Sequence, residues 1–512
     1  MRRTLMVVRM VAVFILLVLL SGCVGAGVNK GAVKSDAKQI SAMVLDRGLI
    51  TTDEGSYEKN RWTQLINEES GVEVKWVPVP SAAAQLREKL NVLIASNSAP
   101  DVITSFDRLF IARLANEGVI MPIEELMNKH SNEYKKYLEQ NPQLMPELIF
   151  DDGQMYAIGS KRGAELVANH AMFIRRDWLD KLSLTAPTTD EELIKTAKAF
   201  KEMDPDGNGK DDTYGIAFQF LFPVAEAMYQ GNTLWYANGN KLEYGPVSER
   251  YLDVLTFLKR IYDEGLIDPE FFTDPNSVKI KQAWNKGKAG IYFAQFNSSG
   301  YREVMQNEPS AVIEPLEPVA TKYGRNGLWQ EVSPRMYVTL NKGTKEPEAA
   351  MKFFDWMISD GWHKLQFGIE GTHYNMVDGI PKTINKEKNN KEVMYAISYM
   401  FLTQGNITSD YYEMMAEEDS ISQAEAKLTG KSQDAAVKYP FRRDIPFDPP
   451  LPEVSELWAE FKPVLEEIRV KMMVSGADYT PEMALNNLRN EWNRLGGGEV
   501  ERAVNEWYLK NK

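Results

Sequence analysis

The sequence predicts an α/β fold with more than one hydrophobic core, and three observations support this. Strand and helix patterns alternate over the first third of the chain, which favours largely parallel sheets with helices on both faces. Strand patterns return late, at 289–294 and 336–340, as expected if the chain crosses between two α/β lobes more than once. The 512 residues suffice for two or more domains of about 100 to 200 residues.

The early elements are predicted from apolar spacing and capping residues. Apolar residues that alternate with charged ones predict a half-buried strand, and apolar residues three or four apart predict a helix with one buried face. Gly71 is a candidate helix end and Ser81 a candidate N-cap. The predicted order is a strand at 40–45, a helix at 57–70, a strand at 72–76, a helix with Leu86, Leu90 and Leu93 on one stripe, and a strand at 101–105.

The later segments are more helical. Thr188 and Glu191 have the spacing of a capping box ahead of an apolar stripe that includes Leu193. A second stripe, from Leu252 to Tyr262, is followed by Gly265, which predicts another helix and its end.

The only cysteine of the chain, Cys23, directly follows a short apolar run at 11–20 and the small residues Ser21 and Gly22. A run of this length is too short to span a membrane, which needs about 20 apolar residues. The pattern resembles the lipobox of a bacterial lipoprotein signal peptide, which is cut before the cysteine. We therefore expect residues 1–22 to be a signal peptide and Cys23 to carry diacylglycerol, with palmitate as the expected acyl chain; an ordinary secretory signal is the alternative. Residues 23–38, which lack periodicity, would be a flexible tether.

Composition narrows the classes of partner. Removing the leader with its arginines leaves 56 basic against 72 acidic residues, which lowers the formal charge from −13 to −16. This balance disfavours nucleic acid and anionic lipid as partners. With no cysteine beyond Cys23, disulfides and thiolate metal sites are excluded.

One loop has the residue spacing of a calcium site. Asp204, Asp206 and Asn208 place oxygens at the first, third and fifth positions of an EF-hand-like loop, Lys210 offers its backbone carbonyl, and Asp212 stands at the ninth position. The bidentate glutamate expected at the twelfth position is missing, because Gly215 stands there. We expect a weak structural calcium site, with a metal-free Asp and Asn turn as the alternative.

Several segments carry a family resemblance. They are residues 99–103 (APDVI), 152–156 (DGQMY), 204–215 (DPDGNGKDDTYG), 262–271 (YDEGLIDPEF) and 370–374 (EGTHY). With them, nearly the whole mature chain resembles the family 1 extracellular solute-binding lipoproteins of ABC importers, in the large branch that includes alginate-binding and oligosaccharide-binding proteins.

The resemblance implies a two-lobed type 2 periplasmic-binding-protein fold, each lobe a mixed or mostly parallel sheet flanked by helices, with a ligand cleft at the hinge. One lobe would hold residues 39–160 and 330–367, and the other residues 161–329 and 368–512. In the alginate-binding relatives the loop that corresponds to 204–215 binds calcium with an acid just after the ninth position; here Thr213 stands in that place.

Ligand-contact candidates are flat rings and polar groups near the expected lobe crossings. Each is also a candidate for an ordinary core or surface role. The arginines offer a bidentate fork for a carboxylate and so favour an acidic sugar, and the resemblance adds the segment at 370–374. The candidates are Arg162, Trp235 with Tyr236, Trp284, Phe296, Trp329, Arg335, Trp362, Glu370, His373 and Tyr374.

Enzyme signatures are weak. The four histidines lack zinc-site spacing, and Glu425 stands where the first glycine of a phosphate loop would be. A chain with 72 acids cannot exclude a glycosidase by counting, so a surface lipoprotein glycan hydrolase or lyase is one alternative. A sensor subunit of a membrane receptor is another. With the resemblance, the chain is expected to be a monomeric, non-enzymatic lipoprotein on the outer face of the cell membrane. The resemblance implies that it captures an oligosaccharide and passes it to ABC permease subunits.

Overall fold

The structure is a computed structural model. It describes residues 38–150, 152–161, 170–274, 277–330, 333–334, 336–405, 409–445 and 447–511. The predicted signal peptide, Cys23 and nearly all of the tether lie outside these residues, as do Arg162 and Arg335.

Strands of the described residues form two larger sheets and three hairpin-like pairs. They are β1 (Gln39–Asp46), β2 (Glu73–Pro80), β3 (Val102–Ser105), β4 (Ala157–Ile158), β5 (Ala171–Arg175), β6 (Tyr214–Phe218), β7 (Trp235–Asn238), β8 (Lys241–Tyr244), β9 (Ala289–Ala294), β10 (Ile313–Leu316), β11 (Ala320–Thr321), β12 (Gly324–Arg325), β13 (Tyr337–Leu340), β14 (Tyr374–Val377) and β15 (Ile380–Thr383).

Helices surround both larger sheets. The α-helices are α1 (Arg61–Ser70), α2 (Ala83–Ala95), α3 (Arg108–Asn116), α4 (Glu124–His130), α5 (Glu133–Gln140), α6 (Met145–Leu148), α7 (Arg176–Lys181), α8 (Asp190–Glu202), α9 (Leu221–Tyr229), α10 (Arg250–Asp263), α11 (Val278–Asn285), α12 (Tyr301–Asn307), α13 (Pro347–Trp356), α14 (Trp362–Phe367), α15 (Lys386–Glu392), α16 (Ser409–Met415), α17 (Ser420–Val437), α18 (Pro452–Val474), α19 (Pro481–Arg494) and α20 (Gly497–Asn511). Short 3₁₀ segments lie at Pro142–Leu144, Gly245–Val247, Phe271–Thr273, Met394–Tyr399 and Gly476–Asp478, and a π-helical turn at Met357–Gly361.

The first sheet has the order β2-β1-β3-β13-β4. β1 is parallel to β2 and to β3, while β13 is antiparallel to β3 and β4. β1, β3 and β13 lie in the interior of the sheet, and their apolar residues are buried on both faces, as expected for strands covered by helices on both sides. This sheet forms the first core, which also takes in residues 349–358 and 393–402.

The second sheet has the order β10-β5-β9-β6. β6 is parallel to β9, whereas β9 and β10 are antiparallel to β5. Every residue of β5 and β9 is buried, which explains their continuous apolar sequences. This sheet forms the second core, which the long helices of the chain end complete. Both sheets are therefore mixed.

The sequence-predicted elements are found with small shifts at their ends. The helix predicted from residue 57 begins at Arg61, because the Asn60 side chain accepts hydrogen bonds from the backbone of Trp62 and Thr63. Its end is as predicted: Gly71 adopts a φ of 63° and donates to the Asn67 carbonyl.

Two predicted caps are corrected by the structure. Ser81 does not cap α2, whose N-cap is Ala82 without a side-chain hydrogen bond. The capping box of α8 is formed by Thr189 and Glu192, one residue after the predicted pair, because the Glu192 carboxylate reaches back to the backbone at Thr189.

The chain passes between the two cores more than once. It leaves the first sheet after β4, builds the second sheet, and returns as β13 to lie between β3 and β4. Residues 393–402 pack in the first core, although the sequence-based division placed everything after 367 in the second lobe. The exact limits of the lobes stay a prediction.

Candidate functional site

A cleft of about 750 Å³ lies between elements of the first core and elements of the second. We define the cleft by its lining residues. α2 and the start of α3 contribute Arg87, Glu88, Asn91, Asp107 and Leu109; the second-core side contributes Thr233, Leu234, Trp235, Tyr244, Trp329, Asp448, Val454, Ser455, Trp458, Ala459, Lys462, Trp492 and Val500. Its volume lies within the range of about 300–1,000 Å³ that is usual for small-molecule sites.

Helix geometry explains how the cleft acquires its walls. α18 begins with Pro452, whose fixed φ suits the first helical turn. Ser455, Ala459 and Lys462 then recur at helical spacing, so one face of α18 points into the cleft. On the opposite side of the cleft, Glu88 and Asn91 are three residues apart in α2, so they lie on the same face of that helix and line the cleft.

Aromatic rings dominate the second-core wall. The Tyr244 and Trp492 rings stack with centroids 4.8 Å apart, and Trp235 and Trp458 pack on Tyr244 at 5.2 and 6.2 Å. Trp458 and Trp329 are only half-buried, so parts of their rings remain open. The wall therefore offers flat apolar faces held by a packed aromatic cluster.

The charged groups of the lining are mostly paired. Arg87 and Asp107 form an ion pair at 2.6 Å, and Asp107 also accepts from the backbone of Phe110 as the N-cap of α3. Lys462 lies 3.9 Å from Glu466 and is more than half exposed. Within the described lining, no arginine is left without an acidic partner.

Asp448 differs from these groups. Its side chain is open to the cleft, and no described residue forms a hydrogen bond or an ion pair within 4.0 Å with it. Enclosure by the surrounding protein raises the pKa of Asp448 to about 6, against the opposing effect of the nearby Arg443. The carboxylate is thus ionised at neutral pH and available to a ligand.

Behind Asp448 lies a buried polar cluster. Arg108 donates to the backbone carbonyls of Glu147 and Ile149, and the Glu147 carboxylate accepts from the Tyr337 hydroxyl at 3.1 Å. Burial raises the pKa of Glu147 to about 7. Phe447, the neighbour of Asp448, packs on the Arg108 guanidinium. This cluster connects the segment before α18 to the first core.

Two of the sequence-predicted contacts, Trp235 and Trp329, line the cleft. Trp235 is 2% exposed and mainly supports Tyr244, whereas Trp329 is half-buried and packs on Phe441 at 5.6 Å. Tyr236 lies beside the cleft lining, buried under the Arg442 guanidinium.

The other described candidates are not brought to the cleft. Trp284 stacks on Tyr292 at 5.1 Å, and Phe296 packs near Tyr412; both belong to the second core. Trp362 packs against His363 at the start of α14. That these three residues contact the ligand stays a prediction, and their positions outside the cleft lining do not favour it.

The segment at 370–374 is also away from the cleft. The His373 ring accepts from the backbone N–H of Ile369 and lies 3.2 Å from the Glu392 carboxylate. Tyr374 is buried beside His363, and Glu370 is exposed. His373 and Tyr374 here stabilise the turn that leads into the β14–β15 pair.

The Asp204 loop connects α8 to β6 and brings its predicted ligands together. Asp204 accepts from the backbone of Asn208 and Gly209, and the Asn208 amide donates to Asp206 at 2.6 Å and to Asp212 at 3.0 Å. Burial raises the pKa of Asp206, and a hydrogen bond with Asp204 raises it further. Two acids in such contact favour a shared proton or a cation between them.

Other observations show that the loop is an incomplete calcium site. Lys288 pairs with Asp212 at 2.5 Å, and the Thr213 hydroxyl donates to the Phe200 carbonyl, so Thr213 does not supply a ligand in place of the missing acid. Lys210 donates its backbone N–H to the Asn208 side chain. Among the described residues, no group of three or more His, Cys, Asp or Glu side chains is arranged to hold a metal ion. The donor types suit calcium, but only as a weak site that also uses amide and backbone oxygens.

None of the helices in the described ranges is both long enough and apolar enough to cross a membrane.

The chain matches the family model of the bacterial extracellular solute-binding proteins over residues 51–364. Among curated proteins, the chain is 25% identical to lipoprotein LipO of Bacillus subtilis (strain 168), covering 96% of this chain and 97% of LipO. It is 25% identical to the polygalacturonan/rhamnogalacturonan-binding protein YtcQ of the same strain, with 86% of each chain covered. A fructooligosaccharide ABC transporter substrate-binding protein, FusA of Streptococcus pneumoniae serotype 4, is 30% identical over 45% of each chain.

Solved structures share the fold. FusA of S. pneumoniae in complex with kestose superposes with a TM-score of 0.68 at 20% identity, covering 93% of this chain and 99% of FusA. The alginate-binding protein AlgQ2, solved without calcium ion, gives a TM-score of 0.69 at 19% identity with the same coverage. A FusA EF-hand mutant in complex with fructo-nystose gives 0.68 at 20% identity and the same coverage.

Proposed function

Because the chain belongs to the bacterial extracellular solute-binding proteins, we propose that its cleft captures an oligosaccharide for import by an ABC transporter. The observation that carries this proposal is the cleft between the two cores, with the open ring faces of Trp329 and Trp458 on one wall. Sugar rings have apolar C–H faces that pack on such rings, and hydroxyls that need polar partners. The names of FusA and YtcQ, both of which bind oligo- or polysaccharides, support the same class of ligand.

Capture by closure follows from the position of the cleft. Its walls belong to elements of different cores, so a rotation of one core against the other would narrow it around a ligand. The closed form would then be presented to permease subunits in the membrane. We expect the protein to act as a monomer, held to the outer face of the cell membrane by a lipid on Cys23 and lifted from it by the tether at 23–38.

A structural calcium ion is a further part of the proposal. Asp204, Asp206, Asn208, the Lys210 carbonyl and Asp212 would hold it, and the close approach of the first two carboxylates supports it. The ion would cross-link the loop between α8 and β6. The loop residues are absent from the cleft lining, so the expected role is stability and not ligand contact.

A glycan hydrolase is the alternative that one observation favours. Asp107 and Asp448 are two carboxylates on the same cleft, and the raised pKa of Asp448 is a property of glycosidase acids. Asp107, however, is committed to Arg87 and to the N-terminus of α3. We therefore propose binding without catalysis. Release of reducing ends from polysaccharide by the purified protein would favour the hydrolase instead.

The binding proposal is tested by calorimetry on purified protein with tetrameric fructo-, malto- and xylo-oligosaccharides, oligogalacturonate and oligoalginate, after a thermal-shift screen. At least one glycan is expected to bind with a micromolar or lower Kd, which corresponds to about 8 kcal/mol or more. Trp329→Ala and Trp458→Ala should weaken binding about tenfold or more, while Phe272→Ala, which removes an exposed ring outside the cleft, should not. Binding of a peptide library with no response to any glycan would refute the proposal.

A further inference from the structure

We propose that the cleft selects neutral glycans over uronides, with the Asp448 carboxylate as the group that accepts hydrogen bonds from ligand hydroxyls. This inference rests on the proposed function and specifies the ligand within it. It runs opposite to the preference for an acidic sugar that Arg162 and Arg335 favour in the sequence, and neither arginine is among the described residues.

The first argument is that the Asp448 carboxylate lacks hydrogen-bond donors. An ionised carboxylate only accepts hydrogen bonds, and at neutral pH Asp448 has no donor from any described residue. A ligand that covers this carboxylate must bring donors of its own, because an acceptor that loses contact with solvent and gains no partner costs free energy. Sugar hydroxyls are such donors, whereas a second carboxylate is not.

The second argument is the rigidity of the position. Asp448 is followed by Pro449 and Pro450, which are buried and have fixed φ angles, and α18 begins two residues later at Pro452. On the other side, Phe447 is held against the Arg108 guanidinium at 4.0 Å. The carboxylate is therefore presented by a short segment anchored on both sides, as a specificity-determining group requires.

The third argument is the sign of charge around the cleft. The described lining has three acids, Glu88, Asp107 and Asp448, against two bases, Arg87 and Lys462. Arg87 is paired with Asp107 at 2.6 Å, and Lys462, which lies 3.9 Å from Glu466, is an exposed ammonium without a bidentate fork.

Arg443 is a further described cation whose charge acts on Asp448. Arg443 is not among the residues that line the cleft, and it donates to the Gln330 carbonyl. In the described part of the lining, a uronide placed between Trp329 and Trp458 would face the Asp448 carboxylate and no unpaired arginine. Like charges in an enclosed site repel, and this repulsion rejects the wrong ligand.

The experiment uses ligands that differ only in charge. Tetrameric oligogalacturonate is compared with the same oligomer after reduction of its carboxyl groups to primary alcohols, alongside the neutral tetramers of the screen. Affinities are measured by calorimetry on wild type, on the isosteric Asp448→Asn variant and on Glu460→Gln, which removes an exposed acid of α18 outside the cleft. Thermal melting of each variant confirms that it is folded.

The expected result is that a neutral glycan binds at least tenfold more tightly than any uronide of equal length. D448N should weaken the neutral ligand about tenfold and reduce the discrimination against the uronide, and E460Q should do neither. Tighter binding of a uronide than of its neutral counterpart by the wild type, or discrimination that is unchanged in D448N, overturns the inference but leaves oligosaccharide capture standing. Failure of every glycan to bind overturns the proposed function and the inference together.

Discussion

The Arg108 guanidinium carbon lies 4.0 Å from the centre of the Phe447 ring, with the Phe150 ring at 4.6 Å. Arg108 is buried at the start of α3, beside the first core, while Phe447 also packs on Trp507 of α20. A single aromatic ring thus connects a helix of the first core to the helices that complete the second. It does so one residue before Asp448.

Replacing Phe447 by alanine should destabilise the protein by about 1 to 3 kcal/mol, because a partly desolvated cation–π contact contributes up to about 2 kcal/mol and packing adds to it. Denaturant unfolding of Phe447→Ala, Arg108→Met and the double variant measures the coupling between the two residues. Leu509→Ala, a truncation at an exposed site of α20, should change stability by about 0.5 kcal/mol or less. Additive single effects would show that the two side chains do not interact.

The second core contains a buried ion pair whose disruption should be costly. Arg469 and Glu226 lie 2.6 Å apart, and the Tyr251 hydroxyl donates to the same carboxylate at 3.0 Å. Glu226→Ala leaves a buried guanidinium without its counterion and should cost about 3–5 kcal/mol of unfolding free energy. Glu226→Leu combined with Arg469→Met should recover most of this loss. Breaking the exposed Arg489–Glu249 pair with Glu249→Ala is the control and should cost about 0–1 kcal/mol. A similar small cost for Glu226→Ala would contradict the prediction.

His170 should make stability depend on pH. Its ring is buried against Phe220 at 4.3 Å, neither nitrogen has a hydrogen-bond partner among the described residues, and burial lowers its pKa to about 4. The unfolded chain, with a histidine pKa of about 6.5, binds the proton more readily. The stabilising contribution is therefore complete above pH 6.5 and is lost as the pH falls towards 4.

Between pH 7.5 and pH 5 the loss from His170 is about 2 kcal/mol. Glu147, whose pKa burial raises to about 7, acts in the opposite direction, since its contribution falls as the pH rises. The measurement is therefore the difference between wild type and His170→Leu in urea unfolding at the two pH values. An equal pH dependence in both proteins would rule out a protonation effect at His170.

Calcium should raise the melting temperature. A ligand at a hundredfold excess over its Kd adds about 2.7 kcal/mol to the stability of the folded state. Chelator should remove this gain in wild type but have no effect on Asp204→Ala, which lacks the first ligand of the loop. Asp211→Ala, in the same loop but outside the predicted ligand set, is the matched control and should keep the response. Melting curves of wild type that coincide with and without chelator would eliminate the site.

Cys23→Ala should abolish incorporation of labelled fatty acid and release the protein from membranes or leave it unprocessed, because the thiol is the expected acceptor of the lipid. Ser35→Ala, in the tether, should be labelled as wild type is. Persistent labelling of Cys23→Ala would disprove the lipoprotein prediction.

Much of the fold could be predicted because it depends on local spacing. The strand predicted at 289–294 is β9, and the stripe from Leu252 to Tyr262 lies in α10. Errors occur at ends, where a one-residue choice between polar neighbours such as Thr188 and Thr189 depends on which side chain actually reaches the backbone.

The cleft was harder to predict, because its walls come from segments that lie hundreds of residues apart. Trp329 could be proposed from its place near a lobe crossing, but Asp448 and Trp458 join it only through the packing of α18 against the second core. The sequence feature that could have indicated the cleft is the segment 441–450, which has two arginines, two aspartates and three prolines before a long helix.

The interrupted first sheet constrains how the chain can fold during synthesis. β13 pairs with β3 and β4, yet about 180 residues separate it from β4, which at 5–20 residues per second is roughly 10 to 40 s of translation. Until then, β3 and β4 lack the strand that joins them, and their open edges can pair with other chains. The strands of the second sheet all precede β13 in the chain, so their residues are synthesised before the first sheet can close. A truncated chain that ends before β13 is therefore expected to aggregate.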